Sequence, residues 1–258
     1  MNIELLDLLN SFYSMLWPML RISAFLIFTS IYSIRAVNVR IRISLSIVLT
    51  IFIAMQMDFP VKNPFEMDGL VTIFNELFIG FAMGLTMQLV TAAVVVAGQA
   101  ISASMGLTMA NLIDPNLGHV PTISQFLSLL TTLIFVATGG HLIVFGVLLE
   151  SFQLLPIGQS LFTQVFFGKF IQWSSLMFGS AVLIALPIMV TLMFVNIGMG
   201  FMTRAAPSLN IFSVGFPAMI LVGFVILWMA LPSMAGRIAG LWVAAFTAMR
   251  ELLIARGG

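Results

Sequence analysis

The chain has 258 residues, of which 7% are charged and 61% apolar, and its mean hydropathy is +1.16. A soluble domain carries about a quarter of its residues as Asp, Glu, Lys or Arg, so no soluble surface can be built from this composition. Ten basic and nine acidic residues leave a formal net charge of +1 with no Lys/Arg face for phosphates to meet, which excludes nucleic acid as a partner.

The apolar runs are continuous. Leu77 to Leu149 contains one charge, Asp114, and Phe170 to Ser233 contains one, Arg204. Backbone groups in hydrocarbon must be satisfied within their own segment, and the runs lack the in-and-out alternation of a membrane barrel, so helices are predicted. Turn signals divide the chain into six long, kinked, apolar helical segments arranged as hairpins, an all-α fold of membrane-protein type.

The first segment runs from about Leu8 to Ile34 with Pro18 and Arg21 inside it; without a basic residue before Arg21 or a small-x-small cleavage site, it is expected to be retained. The basic stretch at Arg35, Arg40 and Arg42 leads to a short second segment, Ile43 to Met57, followed by an acidic loop over 58–69. The third, Val71 to about Ala110, is over-long, with Gly98 or Gly106 as possible breaks. Asp114, Pro115, Gly118 and Pro121 mark a loop before the fourth segment, Ile123 to Leu149. A loop with a short apolar piece is expected from Glu150 to Lys169, then a fifth segment, Ile171 to Met202, a turn at Arg204 to Asn210, and a sixth from Ile211 to about Met249. Six segments place both termini on one side. Basic residues near the segment ends balance between the two sides and do not orient the chain.

Chemistry-bearing residues are few. Cysteine is absent and His119 and His141 are the only histidines, so no metal site or cofactor is expected, and neither a nucleophile elbow nor a pair of intramembrane aspartates points to an enzyme. Ionisable groups within apolar helices face a partner group, a cavity or a pathway, or snorkel to water; the candidates are Arg21, Glu76, Glu150, Arg204 and Arg237, with Arg21 and Arg237 the deepest. Small residues at four-residue spacing, Gly80 and Gly84, Gly98 with Ser102 and Gly106, and Gly236 and Gly240 with Ala244 and Ala248, allow close helix approach. Met105 and Met109 flank Gly106 just before the Asp114-Pro115 loop, where soft apolar side chains can close a pore. No repeat at a fixed period and no inverted pair of interrupted helices is present, which counts against a secondary transporter using Glu76, Asp114, Glu150 and Arg204 as an ion relay.

The order of landmarks is specific: Glu76, Gly80 and Gly84, then Gly98-Gln99, Met105-Gly106-Leu107, Asp114-Pro115, Gly140-His141 and Leu155-Pro156-Ile157-Gly158. Ala185-Leu186-Pro187, Arg204, Pro207, Asn210, Phe212, Gly215-Phe216-Pro217 and Gly223 continue it, and the set resembles the FliR family of flagellar type III export over nearly the whole chain. The resemblance implies an export-gate subunit formed with FliP and FliQ, with FlhB attached, through which unfolded flagellar proteins leave the cytoplasm. It implies a FliP-like part over residues 1–170 and a FliQ-like hairpin over 171–258. It also implies a pore plug over about 106–121, carried by Met105, Gly106, Met109, Leu112, Asp114 and Pro115, and an inner-membrane, basal-body location with much of the assembly on the periplasmic side. The equivalent subunit of a virulence injectisome is the alternative within the family.

Overall fold

A computed structural model describes residues 2–29, 38–107, 122–205 and 215–255. All its regular elements are helices: α1 (Asn2–Phe28), α2 (Val39–Ala54), α3 (Met67–Ser104), α4 (Thr122–Ala137), α5 (Gly140–Leu154), α6 (Gln164–Ala205) and α7 (Phe216–Ile254). Four of them, α1, α3, α6 and α7, are long and apolar enough to cross a membrane. The all-α membrane-type class is as expected from the continuous apolar runs; the count of six is corrected.

The expected fourth segment is two helices. The chain turns by 70° between Ile123–Ala137 and Gly140–Leu154, at Gly139, whose φ of 69° suits a residue without a Cβ. The loop expected over Glu150 to Lys169 contracts, because α5 continues to Leu154 and α6 already begins at Gln164, which places Glu150 within a helix. In the third segment the helix passes straight through Gly98 and ends at Ser104, where Gly106, φ 78°, provides the left-handed residue that commonly stops a helix. Pro18, Pro187 and Pro232 lie inside helices without ending them.

Two compact units form. The first comprises Met1–Leu89, Gly139–Ser174 and Val243–Gly258. Its core holds Trp17, Ile22 and Phe25 of α1 with Ile79, Met83 and Met87 of α3. Gly80 and Gly84 make this contact close: a Cβ on Gly80 would collide with Arg21 O, Ala24 Cβ and Phe25 N, and one on Gly84 with Phe28 Cβ and Phe25 O. Phe28 meets Phe81 edge-on at 4.6 Å, and Trp173 of α6 donates its indole N–H to Thr86 O at 3.3 Å.

The second unit comprises Val90–Thr138 and Ser175–Trp242. Here Gly98 of α3 lies against the first turn of α4, since a Cβ would stand 2.7 Å from Ser124 Cα, and Trp242 donates to Thr131 O at 3.2 Å while packing on Phe135.

Gly80→Ala should lower stability by about 1–3 kcal/mol, the usual cost of overpacking a close contact. Gly146→Ala in α5, where nothing lies within 4 Å, should leave stability unchanged or raise it by up to about 1 kcal/mol. Thermal unfolding midpoints in one detergent compare the two; equal shifts would remove the close-approach role from Gly80.

Candidate functional site

The first unit encloses an ion pair. Arg21 of α1 and Glu76 of α3 are both 0% exposed, with Arg21 Nε donating to Glu76 Oε2 at 2.7 Å. The rest of the guanidinium faces the end of α5: Nη1 donates to Ser151 O at 2.9 Å and Ser151 Oγ at 3.3 Å, and Nη2 donates to Leu155 O at 2.9 Å. Ser151 O also accepts the Leu155 N–H at 2.9 Å, so Arg21 is its second donor, while Leu155 O stands just past the last residue of α5; the negative dipole end of α5 stabilises a cation supplied there from another helix. Phe152 presents its ring to Arg21 Cζ at 4.3 Å, and Phe59 closes on that ring from the side at 5.4 Å.

Glu76 is held from a second direction. Its Oε1 accepts from Gly158 N at 3.4 Å, within the turn that joins α5 to α6. Gly158 has φ 89°, and a Cβ there would meet Lys62 Nζ at 2.8 Å. Lys62 in turn pairs with Asp68 at 3.0 Å, at the start of α3. One cluster therefore joins α1, the loop before α3, α3 itself, the end of α5 and the turn after it. A planar fork with five donors suits this task, because the bonds diverge in fixed directions.

The other ionisable candidates lie elsewhere. Glu150 accepts from Arg250 Nε at 2.8 Å on a partly exposed surface, a screened pair of small energetic weight. Arg204 and Arg237 are exposed, Arg204 in the last turn of α6. Gly80, Gly84 and Gly98 stand at tight helix contacts, whereas Gly236 and Gly240 are exposed with nothing within 4 Å of an added Cβ.

Of the pore-plug candidates, Met105 and Gly106 are described; Met109, Leu112, Asp114 and Pro115 lie outside the described residues. Met105 is fully buried, with its Cε and Cγ where a Cβ on Gly223 would be. Gly106 N–H bonds to Ala103 O at 3.0 Å as α3 ends. Among the described residues no three His, Asp or Glu side chains gather as metal ligands.

Residue types alone did not point to Ser151, Phe152 and Leu155, because two of their contacts with Arg21 use backbone carbonyls, one uses a ring face and one uses a serine hydroxyl of a kind found throughout the chain. Gly158 did carry a signal, as the glycine of the Leu-Pro-Ile-Gly turn.

Glu76→Ala leaves a buried guanidinium unpaired and should cost about 3–5 kcal/mol, whereas the double change Arg21→Met with Glu76→Leu should recover most of it. Arg21→Lys should not substitute, since an ammonium cannot fork to Glu76 and to both α5 carbonyls. Melting curves of the purified variants decide; a double variant no more stable than Glu76→Ala would show that the packing rather than the pair is being measured.

Residues 12–245 match the family described as "Bacterial export proteins, family 1". The chain is 33% identical over 227 residues to the "Flagellar biosynthetic protein FliR" of Pectobacterium carotovorum subsp. carotovorum, covering 88% of this chain and 87% of that protein. It is 32% identical over 241 residues to the FliR protein of Escherichia coli K12, covering 92% and 91% of the two chains. The FliR protein of Bacillus subtilis 168 is 28% identical over 251 residues, covering 96% and 97%. The chain thus belongs to the bacterial export proteins, family 1, as a member of the FliR family of flagellar biosynthetic proteins.

Proposed function

We propose that this component of the flagellar type III export apparatus is a pore subunit of the export gate, assembled with FliP-like and FliQ-like subunits, with an FlhB-like subunit attached. Unfolded flagellar proteins would pass through that gate. The observation that carries this reading is the length of exposed apolar surface. On α6, large apolar side chains are exposed all along from Ile171 to Met202, and on α7 they cluster from Leu221 to Met229, with Val243 and Ile254 standing apart beyond them. At 1.5 Å per residue the α6 stretch runs roughly 46 Å along its helix. A bilayer core of about 30 Å covers no more than about 39 Å of a helix tilted by 40°. Some of this surface therefore needs protein to cover it, which supports a hetero-oligomeric gate raised partly on the periplasmic side of the inner membrane, within the basal body.

In the same reading, residues 1–170 are FliP-like and 171–258 FliQ-like. That division is a likeness along the sequence, separate from the compact units. The plug over about 106–121 starts from a fixed point, because Met105 is buried against Gly223 and Gly106 ends α3. An apolar constriction blocks ions by dewetting yet yields to a passing polypeptide, the task proposed for Met109 and Leu112. The relatives compared are flagellar proteins, which supports the flagellar branch over the injectisome. A solute relay finds less support, with Glu76 enclosed against Arg21 and Glu150 paired to Arg250.

Changing Met109 and Leu112 together to Gly should raise ion conductance of membranes containing the assembled gate several-fold while the complex still forms. Unchanged conductance would place the seal elsewhere. Tagged wild-type chain should co-purify with the FliP-like and FliQ-like subunits of its cell; recovery as a stable monomer would refute the gate assignment.

A further inference from the structure

Between Val225 and Val243, α7 exposes a single cation, Arg237. Arg237 is exposed and, among the described residues, has no ion-pair partner. Large apolar side chains stand exposed before it, Val225, Trp228 and Met229, and Val243 stands exposed after it. Around it the helix backbone is bare, because Gly236 and Gly240 have nothing within 4 Å.

We propose that this part of α7 docks a helix of a neighbouring subunit that presents an Asp or Glu carboxylate to Arg237. Charge complementarity carries the proposal. A guanidinium flanked by apolar surface is costly when hydrocarbon covers it, and it forks well onto a carboxylate. A lipid phosphate is the competing acceptor, but a headgroup region has apolar surface on one side only. Here large apolar side chains stand exposed in both directions, the nearest being Met229 about 12 Å back and Val243 about 9 Å on along the helix. The open backbone at Gly236 and Gly240 adds room for the approaching helix to bring a short acidic side chain within reach. The inference rests on the export-gate reading and names the chemistry of one contact within it.

The test uses the full chain in its native membrane. Tagged wild type, Arg237→Lys, Arg237→Gln and Arg237→Glu are purified, and the other gate subunits recovered with each are quantified. A photoreactive residue at Val243 reports which molecule lies against the face. Arg237→Lys should retain most of the partner subunits, Arg237→Gln should lose a part, and Arg237→Glu should lose at least tenfold, while the thermal midpoint of each isolated variant equals that of wild type. The Val243 probe should yield a product with another polypeptide. Recovery of partners by Arg237→Glu at the wild-type level overturns the proposal, as does a Val243 product confined to lipid or to this chain. Absence of partners from the wild-type preparation itself would instead overturn the export-gate reading.

Discussion

Arg21 and Glu76 form an ion pair that water does not reach, and the first unit is arranged around the need to satisfy it. Removing two charges from water costs several kcal/mol each, and their attraction repays this only when geometry is good and the remaining donors find acceptors. The acceptors come from residues 55 to 134 positions away in sequence, so the bonds are met only in one arrangement of α1, α3 and the end of α5. Glycine makes that arrangement reachable. Gly80, one turn after Glu76, is the residue whose missing Cβ leaves room for the backbone carbonyl of Arg21. The side chain and the backbone of one α1 residue are thereby held by two α3 residues on the same face, and the register of the two helices follows.

The same device recurs without charge in the second unit. Gly98 makes room for Ser124 at the start of α4, and Gly223 makes room for Met105 at the end of α3. In each unit a glycine on one helix receives a specific group from another. Trp173 and Trp242 then donate indole N–H groups to threonine carbonyls, which lets large rings be buried without stranding a donor. An apolar chain has little electrostatic means of specifying its packing, and these shape and single-bond contacts supply it.

Hydropathy made α1, α3, α6 and α7 legible, because each is a long uninterrupted apolar run. It could not show the break at Gly139, because the local signal, Thr138-Gly139-Gly140-His141, is too short to interrupt the apolar run on either side. The start of α6 was obscured for the opposite reason, since Gln164 and Lys169 look like loop residues yet are helical, with Lys169 reaching Glu251 O at 3.4 Å. Pairing was legible only as a requirement. That Arg21 needs a counter-charge follows from its surroundings in sequence; that the counter-charge is Glu76, and that α5 carbonyls complete the shell, follows only from the fold. Arg21 and Arg237 looked equally deep by sequence, and burial within the chain separates them.

Three arginines on apolar helices thus meet three different surroundings, and the differences bear on what surrounds the chain. Arg21 has a complete internal shell. Arg250 pairs with Glu150 where both side chains are partly exposed. Arg237 has no ion-pair partner among the described residues, and it lies on α7, whose most apolar stretch is only 22% buried, against 61% for that of α3. A chain able to supply four acceptors to Arg21 is not short of means to satisfy arginine. The open face of α7, with bare glycines and a lone cation between apolar side chains, is therefore better understood as half of a contact than as a finished surface, and the same holds for the apolar length of α6 that a bilayer cannot cover.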